Sequence, residues 1–233
     1  MKLAIMQPYL FPYLGYFQLI HAVDTFVFYD DVHFIKRGWI NRNRLIFNKE
    51  PHYFTVPLQK ASQNKRINEV EVALTDAWLK TFFKTLTQNY SKAPYFKETY
   101  ELVERVFSSG HQTISGLAME SIIQVCLYLG IDTQFEVSSQ TYGNTINYEK
   151  ADRLIAITAQ KGYRDYVNPA GGKDLYDPPY FKSKGIQLLF IDHELVPYTQ
   201  FGNEFVNGLS IIDVLMFNTP EETKKLMSQY SLE

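Results

Sequence analysis

Cysteine is nearly missing from this chain: there is one, Cys126, in 233 residues. A single thiol excludes an internal disulfide and any cysteine-based zinc site, and it fits a reducing compartment. Net charge is nearly absent too, with 23 Lys and Arg against 25 Asp and Glu. No global basic field exists to hold nucleic acid, so that class of partner is not expected. Apolar runs are short, and none approaches the ~18 residues of a membrane span, so no membrane insertion is expected. Met1 leads almost at once into strand-like residues rather than a basic stretch and a long apolar run. No secretory leader is therefore read, and a cytoplasmic location is the expectation. Histidine is sparse: His21, His33, His52, His111 and His193 stand alone, without the spacing of a metal-binding pair. Repeats, linkers and low-complexity stretches are missing, which points to one domain over residues 1–233.

Aromatic residues are what the chain has in plenty, 15% of the total with 17 Tyr and 17 Phe. Tyrosine buries a large ring and keeps a polar tip, which suits polar ligand sites as well as cores. Apolar runs at Lys2–Met6, Asp24–Tyr29, Gln134–Val137, Tyr166–Asn168 and Ile186–Ile191 read as strands. His52–Leu58 and Ile67–Ala73 read as two more. Helical spacing is found at Leu14–Val23, Ala77–Tyr90, Ala93–Phe107, Thr113–Leu129, Glu149–Gln160, Pro179–Lys184, Ser210–Phe217 and Pro220–Tyr230. Strands alternate with helices at both ends, while helices dominate the middle. The pattern predicts an α/β, Rossmann-like, mostly parallel sheet carrying a helical insertion at about 77–130.

Three polar constellations stand at predicted strand ends, where such sheets bind ligands. The first is Gln7-Pro8-Tyr9-Leu10-Phe11-Pro12-Tyr13-Leu14-Gly15-Tyr16, between the first strand and a helix N-terminus, whose free N–H groups suit phosphate or carboxylate. Gln7, Tyr9, Tyr13, Gly15 and Tyr16 are its candidate contacts. The second joins Asp30 and Asp31 to Lys36, Arg37, Trp39, Asn41, Arg42, Asn43 and Arg44. Adjacent carboxylates repel, so a cation, a metal or a nearby Arg should partner them. Arg grips phosphate or carboxylate through two hydrogen bonds, and Trp offers a flat face to a sugar or base. If Asn41–Arg44 is extended, Arg42 and Arg44 share one face and Asn41 and Asn43 the other. One pair then faces a ligand while the other holds the loop. The third is Asn168-Pro169-Ala170-Gly171-Gly172-Lys173-Asp174, where two glycines permit an anion-binding turn with Lys173 as a point charge. It lacks Walker A spacing, which argues against P-loop ATP chemistry.

For a general base, His193 past the buried strand and His33 beside the acidic pair are the candidates, together with Asp30 and Asp31. Cys126, inside an apolar helix, reads as a small core residue. Asp213 lies in the apolar stripe of Leu209, Ile211, Ile212 and Leu215, and needs a structural partner, an Arg or a backbone donor.

The order strand–Pro–aromatic–Gly–aromatic–helix–strand–Asp is similar to the nucleotidylyltransferase superfamily, with Tyr13 and Tyr16 where that superfamily keeps the histidines of His-x-Gly-His. Tyrosine donates a hydrogen bond to phosphate but is neutral at pH 7. A broader match runs through Ile5-Met6-Gln7-Pro8, Leu14-Gly15-Tyr16-Phe17, Phe28-Tyr29-Asp30-Asp31-Val32, Asn41-Arg42-Asn43-Arg44, Thr55-Val56-Pro57-Leu58 and Leu209-Ser210-Ile211-Ile212-Asp213. These segments resemble the WbqC-like family of bacterial surface-polysaccharide (O-antigen) pathways. The resemblance implies a transferase that attaches glycyl or another acyl group to the amine of a nucleotide-linked amino sugar. It also implies an activated acyl donor such as acyl-CoA, with ATP less expected. Three other points stay open: a nucleotidylyl-transferring or amino-acid-activating enzyme, a non-catalytic nucleotide-sugar-binding protein, and a homo-oligomer.

Overall fold

The computed structural model describes residues 1–202 and 204–233. The chain begins with β1 (Lys2–Met6), α1 (Leu14–His21) and β2 (Thr25–Phe28), then forms a hairpin of β3 (Arg42–Phe47) and β4 (Glu50–Thr55). Three helices follow, α2 (Asp76–Tyr90), α3 (Phe96–Phe107) and α4 (Ile114–Leu129). The alternation resumes with β5 (Gln134–Val137), a single-turn α5 (Ser138–Thr141), α6 (Lys150–Gln160), β6 (Asp165–Pro169), α7 (Pro178–Ser183) and β7 (Gln187–His193). It closes with α8 (Ile211–Phe217), α9 (Pro220–Met227) and β8 (Tyr230–Leu232). Among the described residues, no helix is long and apolar enough to cross a membrane.

The main sheet runs in the order β5-β2-β1-β6-β7-β8. The first five strands are parallel and β8 is antiparallel to β7. The sheet is thus α/β and Rossmann-like, and its order reverses between β1 and β6. Ligands of such sheets sit in the crevice beyond the carboxyl ends of the strands at that point. Alternation along the strands divides the core. Leu3, Ile5 and Val27 face α6 and α7, where they meet Leu154, Ile157 and Phe181. Ala4, Phe26 and Phe28 face the opposite way, toward Phe17 and Ile20 of α1, with α2–α4 and α8 beyond them.

The boundaries have local causes. Thr75 and Thr113 cap α2 and α4 by accepting from Trp78 N and Gly116 N. Thr219 and Glu222 form a reciprocal capping box at the start of α9, with Pro220 in its first turn. Three expectations need correction, and one stretch without a sequence reading contains a strand. Ile67–Ala73 is not a strand: Ile67–Glu69 is a 3-10 turn closed by Glu69, whose carboxylate accepts from Arg66 N at 2.8 Å. The strand expected at His52–Leu58 is β4, Glu50–Thr55, which ends short of Pro57, a residue with no N–H for a ladder. Lys36–Phe47 has no clear period in the sequence, yet it contains β3. The terminal helix stops at Met227, and Tyr230–Leu232 pairs with β7 instead.

Candidate functional site

The segment after β1 is an irregular loop with Phe11 at φ 41°, the left-handed region. A non-glycine residue held there stores roughly 1–3 kcal/mol, so its surroundings must over-determine it. They do. Phe11 N donates to Ser121 Oγ at 2.9 Å, and Phe11 O accepts from Asn43 Nδ2 at 2.7 Å and Ser210 Oγ at 2.8 Å. Leu10 O accepts from the same Asn43 amide at 3.2 Å, and Leu10 N donates to Trp39 O at 3.2 Å. Ile211 N reaches Pro12 O at 2.9 Å.

Thus tied down, the loop walls a cavity of about 270 Å³ lined by Tyr9, Pro12, Tyr13, Trp39, Asn43, Arg44 and Gly208. Five of these were expected site residues, now drawn together from the loop, the hairpin and the segment before it. Arg44 is its cation. Nη2 donates to Asn207 O and Gly208 O, each at 3.1 Å, and Nε is buried with no partner. The guanidinium carbon lies 5.9 Å from the centroid of the Trp39 ring. Among the described residues no carboxylate pairs with Arg44. Burial raises the phenol pKa of Tyr9 and Tyr13, so both are neutral donors at pH 7. The lining therefore offers a guanidinium, two phenols and an indole N–H, and contains no Asp or Glu.

The alternation along β3 sorts its neighbours. Asn43 is buried and straps the loop, while Asn41 exchanges hydrogen bonds with Val56 (Nδ2 to Val56 O 2.9 Å, Val56 N to Asn41 O 2.8 Å). Arg42 is already engaged: Nε donates to Gly38 O at 3.1 Å, Nη2 to Arg37 O, and the guanidinium stacks 4.5 Å from the Tyr53 ring. The two tyrosines at the histidine-like positions diverge as well. Tyr16 is buried, 5.4 Å from Phe26 between ring centroids, and donates to Gln7 O at 2.8 Å. Only Tyr13 borders the cavity.

Gly15 explains how Tyr13 lies there. A Cβ at Gly15 would stand 2.5 Å from Tyr13 Cε2. Gly15→Ala is therefore expected to fold, because the half-buried Tyr13 ring is able to swing away, but to reshape the cavity. A crystal structure of the variant showing Tyr13 unmoved would contradict this.

Asp30 and Asp31 are buried beside one another at the end of β2. Asp31 pairs with Arg153 of α6 at 2.5 Å and accepts from Ser138 Oγ at 2.6 Å. Asp30 accepts from Ser138 Oγ and Ser139 N, both at 3.0 Å, Ser139 Oγ at 2.7 Å and Asn68 Nδ2 at 3.2 Å. The Arg that pairs with Asp31 comes from α6, 122 residues on, and not from the Lys36–Arg44 cluster. Lys36 and Arg37 are exposed. His33 is exposed too, with Nδ1 3.0 Å from Gln63 O. Asn168 is buried and donates to the Tyr166 hydroxyl at 2.7 Å, Gly171 is exposed, and Lys173 pairs with Glu233. A Cβ at Gly172 would fall 2.0 Å from Asn168 Oδ1, so this turn closes on its own asparagine. Among the described residues no three metal-binding side chains gather.

His193 ends β7 half-buried, with its ring edge-on to Tyr13 at 6.1 Å. Its Nδ1 lies 3.0 Å from Gln18 Oε1. Arg153 and Gln18 were not singled out in the sequence, although each is a polar residue at apolar helical spacing, Arg153 four before Ile157 and Gln18 four after Leu14.

The sequence model of the WbqC-like protein family matches residues 7–225. An uncharacterized protein of Mycobacterium tuberculosis (strain ATCC 25618 / H37Rv) is 32% identical over 228 residues, 95% of each chain. No solved structure matches.

Proposed function

Since the chain belongs to the WbqC-like protein family, we propose that it is a transferase that attaches an acyl or aminoacyl (glycyl) group to the amine of a nucleotide-linked amino sugar in surface-polysaccharide synthesis. The observation that carries this reading is the cavity beside the β1 carboxyl end, walled by Tyr9, Tyr13 and Trp39 and holding Arg44, whose Nε is buried without a partner and which no carboxylate among the described residues pairs with. Aromatic faces suit a sugar or base, and a guanidinium without a carboxylate suits phosphate or an anionic acyl donor. Its volume of about 270 Å³ sits just under the ~300–1,000 Å³ of ordinary ligand pockets, so it admits one part of the substrate. In the reaction the sugar amine attacks an activated acyl carbonyl. Neutral donors facing the developing oxyanion stabilise it without carrying charge of their own.

Two measurements test this. Mass spectrometry of nucleotide-amino sugars incubated with acyl thioesters should find the N-acylated product. Arg44→Ala should weaken nucleotide-sugar binding by about 10- to 150-fold, as loss of hydrogen bonds to a charged group does. Calorimetry showing equal affinities would remove Arg44 from the site.

A further inference from the structure

Gln18 is a polar side chain at zero exposure in a helix whose other residues from Leu14 to Ile20 are buried apolar groups and one glycine. Its Nε2 donates toward three backbone carbonyls, Glu194 O at 3.1 Å, Leu226 O at 2.9 Å and Gln229 O at 2.8 Å. An amide nitrogen has two hydrogens, so one of these bonds is shared. The arrangement admits one orientation of the amide, because a flip would set Oε1 against three carbonyl oxygens. Oε1 consequently faces His193 Nδ1 as an acceptor, and His193 Nδ1 must carry the hydrogen. A neutral imidazole with hydrogen on Nδ1 keeps its lone pair on Nε2. Among the described residues Nε2 has no hydrogen-bond partner.

The surroundings favour the neutral ring. Burial lowers the His193 pKa, and Asp192 on the same strand opposes this to a smaller extent. Gln18 and Tyr13 face the ring from the α1 side, and Tyr230 stands across from it on β8. The phenol of Tyr13 and that of Tyr230 are both raised by burial and uncharged at pH 7. His193 also shares the Tyr13 ring with the Arg44 cavity.

We propose that His193 is the proton acceptor of this site, acting through Nε2, and that Gln18 is the positioning residue that holds it as the Nδ1–H tautomer. The proposal rests on the transferase reading. Attack of the sugar amine forms the C–N bond to the acyl carbon. The resulting ammonium loses one proton to His193 Nε2. Collapse of the tetrahedral intermediate breaks the bond to the leaving group, a thiolate if the donor is a thioester. The imidazolium then returns the proton to that thiolate or to water.

The experiment has two arms on the full-length protein. Long-range proton–nitrogen NMR reads the tautomer directly, with the His193 signals assigned from His193→Asn. Expected is a neutral Nδ1–H ring at pH 7 that titrates below the ordinary value of about 6.5. An Nε2–H tautomer, or an imidazolium at pH 7, overturns the proposal. In the second arm, His193→Asn keeps a donor toward Gln18 but deletes the Nε2 lone pair. Its turnover should fall by about 10²- to 10⁴-fold with KM little changed, and the acidic limb of kcat/KM should disappear. Retention of wild-type turnover and pH profile overturns the proposal even if the tautomer is as expected. Matched urea unfolding curves exclude a folding defect. If the wild type transfers no acyl group, the transferase reading falls, and the NMR arm alone then decides whether His193 is held as a free base.

Discussion

Arg153→Ala should lose about 3–5 kcal/mol of folding stability, the cost of breaking a buried ion pair from one side. Arg153 is almost fully buried and holds Asp31 at 2.5 Å, with Nε 3.3 Å from Thr145 Oγ1 and the guanidinium 4.8 Å from the Tyr29 ring. Its removal leaves two adjacent carboxylates with no cation among the described residues. The Ser138 hydroxyl cannot compensate, since its single hydrogen already serves Asp30 Oδ1 at 3.0 Å and Asp31 Oδ1 at 2.6 Å. Urea unfolding at pH 7 measures the loss. Asp31→Asn placed in the Arg153→Ala background should recover part of it, because the uncompensated charge is gone. A loss below about 1 kcal/mol, the level of an exposed pair, would show that water reaches these groups. Damage should centre on the junction of β2, β5 and α6, and Asn68 links the 3-10 turn at Ile67–Glu69 to the same knot.

Asp213→Ala is the second large effect. This carboxylate has no exposure and, among the described residues, no cationic partner; Tyr90 and Tyr198 donate to it at 2.6 and 2.7 Å and Gln200 Nε2 at 3.1 Å. The Tyr90 hydroxyl also accepts from Ile46 N at 2.9 Å, so one residue links α8, α2 and β3. Alanine orphans two buried phenols, at about 1–3 kcal/mol each, and the expected loss is about 3–4 kcal/mol. The pH dependence has a definite sign. Burial raises the Asp213 pKa, and the three donors lower it by less. The folded chain thus holds this proton more tightly than the unfolded chain does. The associated stability is complete below the unfolded value of about 3.9 and is lost as pH rises through the folded one. The gap between wild type and Asp213→Ala should therefore be smallest at neutral pH and widen toward about pH 4. A gap that narrows on acidification would mean that the donors outweigh burial.

Both networks show where the sequence is legible. The parallel strands stand out because burial on both faces demands continuous apolar runs such as Leu3-Ala4-Ile5 and Leu188-Leu189-Phe190-Ile191. Asp213 stands out for the opposite reason, as a charge in an apolar stripe, but its partners are two tyrosines and a glutamine where an Arg or a backbone donor was expected. β3 is hidden because its first three residues are Arg42, Asn43 and Arg44, chosen for a strap, a stack and a cavity rather than for a core. β8 is too short for any period to register. The acidic pair is visible at Asp30-Asp31, yet its counter-ion lies 122 residues away, a separation that no local pattern encodes. The cavity was half visible: Tyr9, Tyr13, Trp39, Asn43 and Arg44 are conspicuous in sequence, whereas Gly208 enters only through the folded path of the chain.

The strained turn at Phe11 has a consequence for the order of folding. Its fasteners come from Asn43, Ser121 and Ser210, which lie 32, 110 and 199 residues away along the chain. Contacts at such separations are expensive in loop-closure entropy and form late. The loop cannot become native until the hairpin, the helical insertion and the last helical pair have all arrived around it. The cavity is a property of the finished molecule. A nascent or truncated chain would carry every pocket-lining residue up to its end and still have no pocket to offer.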